Sequence, residues 1–258
     1  MERLKQTQSS GISRRGLRTW GMIFLAVGVL GRAIVQNRML GLGSISAQEL
    51  LEAMSTSSTT MIWATAALVM QAVETCAVPV FCFLLVEGFQ RTANFGRYLL
   101  RVAGLACLSE VPYNLAMGGT LLDLSSRNPV FAMALCLAAL YFYRRYSENS
   151  VANIAIKTLV TLAAFLWANM LGIEHGPTCV VVVGVLWACR KLPTYRNFIG
   201  CAAAAVCCMF SMFYIASPMG FLPVHFYQGE QGEENRVVNY LFYPVLLLAV
   251  WLAGKLLM

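Results

Sequence analysis

Two acidic side chains of this sequence stand inside apolar runs, where ionisable groups are costly and are functional candidates by default. Glu74 follows Gln71 by three residues, which puts both on one helical face, and Pro79 downstream predicts a kink. Glu110 is followed one turn later by Asn114, with Pro112 between them. Ala103 and Cys107 continue that face with small side chains and leave room for a cavity. Both acids have a plainer reading, as polar groups that join neighbouring helices. The two histidines are His175, in the turn Glu-His-Gly-Pro-Thr, and His225, ahead of a glycine-punctuated loop. Imidazole titrates near neutrality and is the commonest general base. A capping or interfacial role is the alternative for each.

Residues Phe81–Tyr98 form a polar elbow between two apolar runs. Glu87 and Arg91 are spaced i, i+4, as are Arg97 and Arg101. Arg91, Arg97 and Arg101 together could hold phosphates, since guanidinium groups bind such anions bidentately. They are equally the residues that would anchor a membrane topology. No GxSxG elbow, Walker loop or HExxH motif is present. The nine cysteines lie almost wholly in apolar runs, without a CxxC pair or a Cys/His cluster at zinc spacing, so they read as small buried hydrophobes and no metal is expected.

The elements that must position these groups are membrane helices. Of 258 residues, 59% are hydrophobic and 12% charged, against about 25% charged in a soluble domain. The apolar runs are continuous and not alternating, which selects helices over a barrel. Eight spans follow: 19–35, 61–86, 98–117, 129–143, 154–172, 178–189, 199–216 and 238–257. Residues 218–227 are too few to cross and read as re-entrant or interfacial. With the N-terminus in the cytoplasm, most cations fall inside, including Arg14, Arg18, Arg91, Arg101, Arg144 and Arg190, and most acids outside. The net charge of +7 is thus explained by topology, and no nucleic-acid partner is implied. The expectation is an all-α polytopic membrane protein of about eight transmembrane helices with both termini cytoplasmic. A basic tail (1–18) precedes a single transmembrane domain (19–258).

Residues 77–117, AVPVFCFLLVEGFQRTANFGRYLLRVAGLACLSEVPYNLAM, resemble the TraX family, membrane proteins named for acetylating the N-terminus of conjugative pilin. The matching motifs are Val78–Phe81, Val86–Phe89, the basic stretch Arg91–Arg101 and Ser109–Pro112. Further matches are Arg127–Phe131, Glu174–Gly176, Tyr227–Gly232 and Phe242–Pro244. The resemblance implies a bacterial plasma (inner) membrane protein with acetyl-CoA as co-substrate. It implies as acceptor an amine on a pilin-like or other small membrane polypeptide. Arg91, Arg97 and Arg101 would hold the donor's phosphates, while Glu87, Glu110 and Asn128 would line the pocket. The family's first-helix Asp-His pair is replaced here by Gly28 and Val29. The His of its closing motif is replaced by Leu246, and the basic pair of its glycine loop by Glu230 and Gln231. An active chain therefore needs another base. Glu110 is narrowly preferred for its depth, with His175 and His225 as the other candidates. The alternatives are a transporter using Glu74 and Glu110, or a scaffold without chemistry.

Overall fold

The computed structural model describes residues 11–40, 52, 54–55, 57–123, 125–148, 150–229 and 236–256. Its regular elements are helices: α1 (Arg14–Leu30), α2 (Ser58–Thr75), α3 (Ala77–Arg91), α4 (Phe95–Met117), α5 (Val130–Arg145), α6 (Val151–Met170), α7 (Gly176–Ala188), α8 (Pro193–Val206), α9 (Phe221–His225) and α10 (Arg236–Leu256). No strand occurs among the described residues, where isolated bridges join Ile12 to Tyr227 and Arg127 to Ile173. Four helical stretches are long and apolar enough to cross a bilayer: Arg14–Met39, Ser58–Arg91, Val151–Met170 and Val237–Leu256. The protein is an all-α, polytopic membrane protein, as its composition implies.

Short polar side chains start the helices by accepting orphan backbone N–H groups: Ser13 from Gly16, Ser57 from Thr60, Asn94 from Arg97 and Ser150 from Asn153. Arg14, Arg15 and Arg18 of the expected tail thus already belong to α1. The kink expected from Pro79 is a full break. Lacking an N–H, Pro79 cannot bond the carbonyl of Thr75, and α2 ends there before α3 resumes at Ala77. Pro112, by contrast, lies within an unbroken α4.

Helices α2 and α3 run antiparallel to α1. Gln36 meets Gln71, Arg32 meets Glu74, Gly21 packs on Val80 and Phe81, and Arg14 comes to Gly88. Helix α3 is the central strut of the main core, with Val80, Cys82 and Phe89 fully buried against Leu137, Leu140, Val182 and Leu186. A second cluster sets Val29 and Ala33 of the first helix against Tyr113, Tyr243 and Leu247. Outward faces stay apolar: Leu159, Leu162, Leu166 and Met170 of α6 are all exposed, which suits a lipid surround.

Two topological expectations are corrected. Residues 218–227 are not re-entrant. The 3-10 segment Met212–Gly220 starts beside His175, where Tyr214 lies, and continues through α9 to Tyr227, which pairs with Ile12 at the opposite end. Helical turns spaced 2.0 Å per residue in the 3-10 stretch give these few residues their reach. Counted over the described residues, the chain therefore runs the length of the bundle nine times, not eight. Helix α10 then starts at the Ile12 end, where Tyr240 lies beside Arg101, and finishes with Gly254 against Arg38. The two ends of the described chain lie at opposite ends of the bundle, not on one side. Arg14, Arg18, Arg91, Arg97, Arg101, Arg144 and Arg190 gather at one end of the bundle, the basic end.

Candidate functional site

Gly28 is the local cause of the site. A methyl group on it would fall inside contact distance of Glu74 Cβ, Cγ and Cδ, so the missing side chain of α1 is the space that the α2 carboxylate fills. Glu74 is 1% exposed. Its charge is balanced by Arg32, which donates to Glu74 Oε1 at 2.5 Å and also pairs with Glu174. Arg32 sits on the π-helical continuation of α1, Gly31–Met39, at the depth where α2 presents Glu74. Such buried ions persist only when paired. The Tyr113 hydroxyl donates to Glu174 Oε2 at 3.1 Å and lies 3.3 Å from Ser126 Oγ.

His175 completes the cluster. Its backbone is left-handed (φ 57°), the one such non-glycine residue described. That conformation costs roughly 1–2 kcal/mol for an L-residue, and the flanking chain holds it in place. Arg127 N–H donates to the Gly172 carbonyl at 2.9 Å and Glu174 N–H to the Arg127 carbonyl at 3.0 Å. Pro177 starts α7 immediately afterwards. The imidazole Nδ1 is 2.6 Å from the Tyr214 hydroxyl, and Nε2 is 4.0 Å from both Glu74 Oε1 and Glu174 Oε1. Nε2 and Glu74 Oε2 are buried, and neither has a hydrogen-bond partner among the described residues, which is rare for polar atoms in a packed interior. Glu74, Glu174 and His175 also lie close enough to surround a cation. The guanidinium of Arg32 already bridges the two carboxylates with a positive charge.

This cluster forms the floor of a cavity of about 650 Å³. Arg14, Arg18, Arg91 and Arg101 line its mouth at the basic end. Met22, Phe81, Leu84, Leu105 and Met133 wall it, and Glu74, His175, Cys179 and Tyr243 close it. From Arg91 to Glu74 the helices rise about 25 Å at 1.5 Å per residue. The arrangement is a narrow apolar shaft with cations at one end and an imidazole–carboxylate pair at the other. Such a shaft can hold an anionic head outside and expose a reactive tail to a base.

Of the residues singled out from sequence, His175, Arg91 and Arg101 line this cavity, and Glu74 stands at its floor. Arg97 is exposed and outside it. Glu87 lies beside the mouth, paired with Arg91 at 2.7 Å and accepting from the Tyr227 hydroxyl at 2.6 Å. Burial, and then the Glu87 carboxylate, push that phenol up to about 12, so it stays a donor. Glu110 faces the interior as expected, at 9% exposure. The expectation that it or Asn128 would share a pocket with the arginines is not met, because neither lines the cavity. They form a separate knot: Glu110 accepts from Arg127 Nη1 at 3.1 Å and from Asn128 Nδ2 at 2.5 Å, while Asn128 Nδ2 also donates to the Ala106 carbonyl at 2.9 Å. His225 is exposed, edge-on to Phe226. Glu230 and Gln231 lie outside the described residues.

Arg32, Glu174, Tyr214, Arg14 and Arg18 were missed as site residues. Arg32 carried a signal, since it sits far along the first apolar run, where a cation needs a buried partner. Tyr214 carried none, because its contact depends on the 3-10 passage.

A family model described as TraX protein matches residues 45–253. The chain is similar to a probable fimbrial assembly protein FimC, serogroup H1, of Dichelobacter nodosus. The two are 26% identical over 191 residues, covering 65% of this chain and 75% of that protein. No solved structure matches. With about four fifths of its length inside that family match, the chain belongs to the TraX family.

Proposed function

We propose that the protein is a membrane acyltransferase that moves an acetyl group from acetyl-CoA to an amine of a membrane-associated, pilin-like polypeptide. The reading sets the basic end in the cytoplasm of a bacterium, at its inner membrane. One observation carries it: a single cavity joins four arginines to an imidazole–carboxylate pair. The arginines Arg14, Arg18, Arg91 and Arg101 would take the donor's phosphates, each charge-assisted contact contributing roughly 1.5–3 kcal/mol. The thioester would then lie near His175. With Nδ1–H donating to Tyr214, Nε2 has a free lone pair to accept the proton of the attacking amine. Glu74 faces the imidazolium that results. The amine nitrogen bonds the acyl carbon, the carbon–sulfur bond breaks, and the thiolate is protonated as the donor leaves. Glu74 and His175 thus stand in for the acid and imidazole that the first helix lacks. The fimbrial assembly relative supports a pilus subunit as the acceptor.

The test is calorimetric titration of acetyl-CoA into detergent-purified protein, followed by acetyl transfer to a pilin-like peptide. Binding in the micromolar to millimolar range, with turnover lost in His175→Ala, is expected. Absence of binding at millimolar donor removes the reading.

A transporter is the second reading, and one observation favours it. The carbonyl of Cys76, at the break between α2 and α3, sits where a side chain on Gly220 of the 3-10 passage would be. Two interrupted segments thus cross beside Glu74, as at transporter binding sites. Proteoliposome flux lost in Glu74→Gln, without donor binding, would select it.

A further inference from the structure

A second space opens beside the cavity, between α4 and α10. It holds about 340 Å³ and is lined by Arg101, Gly104, Leu105, Leu108, Tyr240 and Leu241. Arg101, Leu105 and Tyr240 line the main cavity too, so they form the wall between them. Gly104 makes the space: a methyl group placed on it would meet nothing within 4 Å. Gly104, Leu108 and Leu241 are exposed on the outer surface of the bundle, so the cleft faces lipid. Arg101 lies at its basic end and has no ion-pair partner among the described residues, and Leu108 is about 10 Å deeper along the helix.

We propose that this cleft is a binding site for one anionic phospholipid, with an acyl chain along Gly104–Leu108 and the phosphate on Arg101. Size selects the chain over a helix. Two turns of helix, about 11 Å long and 10 Å across, need on the order of 900 Å³. Charge selects the head group: an unpaired guanidinium at the top of an apolar groove matches a phosphate at the membrane surface. Because Arg101 also lines the donor cavity, a lipid phosphate on it competes with a donor phosphate, and by linkage the donor weakens lipid binding equally. The competition rests on the acyl-CoA reading; the lipid site does not.

The experiment uses the full chain in nanodiscs of phosphatidylglycerol and phosphatidylcholine, alone and mixed. Native mass spectrometry after release from the mixed discs should show phosphatidylglycerol retained in preference to phosphatidylcholine. Gly104→Leu and Leu241→Trp fill the cleft from opposite walls and should each abolish that retention, while Arg101→Gln should abolish the head-group preference. Equal retention of both lipids by the unmodified protein, or unchanged retention in both filling variants, overturns the site. Acetyl-CoA should bind severalfold more weakly in phosphatidylglycerol discs, and Gly104→Leu should narrow that difference. A difference that persists undiminished belongs to the surface potential and overturns the competition. Absence of donor binding in either disc refutes the acyltransferase reading, while lipid retention still decides the cleft.

Discussion

The fit of Glu74 into the space above Gly28 makes a quantitative prediction. Gly28→Ala adds one methyl group where three side-chain atoms of Glu74 already lie. Overpacking a closed interior costs about 1–3 kcal/mol. Removing glycine from a helix returns up to about 1 kcal/mol. Moving Glu74 also loosens its contact with Arg32, a hydrogen bond between ions worth roughly 1.5–3 kcal/mol if lost outright. The balance is a net loss of about 2 kcal/mol, or roughly 4–8 °C in apparent melting temperature for a chain of this size. In a Glu74→Gly background, which removes Cβ as well as the carboxylate, the methyl group has room, and Gly28→Ala should be neutral or mildly stabilising. Thermal unfolding of the four proteins in one detergent gives the coupling energy as a double-mutant cycle. A coupling of about 2 kcal/mol is expected. If Gly28→Ala has the same effect in both backgrounds to within about 0.5 kcal/mol, the two residues do not share one space and the account of the site is wrong. The same geometry governs any attempt to graft an Asp-His pair onto positions 28 and 29. Val29 is buried against Tyr113 and Tyr243, so Gly28→Asp with Val29→His should be badly tolerated unless Glu74 is truncated too.

Other outcomes follow from the same structure. Arg91→Ala and Arg101→Ala should each weaken acetyl-CoA binding about tenfold or more, the loss of one charge-assisted contact, whereas Arg97→Ala should leave calorimetric affinity unchanged. Glu110→Gln should lower thermal stability through the knot with Arg127 and Asn128 yet leave donor affinity intact; a selective loss of affinity would return Glu110 to the site. Tyr214→Phe, which removes the partner of His175 Nδ1, should shift the pH–rate profile of acetyl transfer, while His175→Ala should lower turnover about 10²–10⁴-fold. Reporter domains fused before Ile12 and after Leu256 should report opposite sides of the membrane, and the same side for both would contradict the nine-pass bundle.

Helix positions were legible in the sequence because hydropathy and helix-breaking residues act locally. Pro79 announces the break at Cys76, and Ser57, Asn94 and Ser150 announce helix starts. The 3-10 passage was not legible, since ten residues counted at α-helical rise cannot cross, and its path shows only in contacts distant in the chain, to Thr75, Cys76, His175 and Ile12. That single misreading reversed the predicted side of α10. Glu74 and Glu110 looked alike in sequence, each an acid in an apolar run. What separates them is distant in the chain. Arg127 and Asn128 close around Glu110, whereas Arg32 satisfies one oxygen of Glu74 and leaves the other unpartnered. Leaving one oxygen of a buried carboxylate unpartnered is a property of packing and has no local mark in the sequence.

The pairing of Ile12 with Tyr227 also sets a schedule. Ile12 N–H donates to the Phe226 carbonyl at 2.8 Å, and Gln228 N–H returns a bond to the Ile12 carbonyl at 3.2 Å. Residues at one end of the chain thus wait for residues made near the other, a delay of roughly 10–40 s at 5–20 residues per second. During that interval α1 can already dock on α2 and α3 through Gly21 and Gly28, with the floor of the cavity taking shape around Glu74. Arg14 and Arg18 belong to a mouth whose last wall, around Asn239 and Tyr240, is not yet synthesised. A nascent chain released before residue 226 would therefore insert and pack much of its interior while leaving the rim of the shaft unlatched.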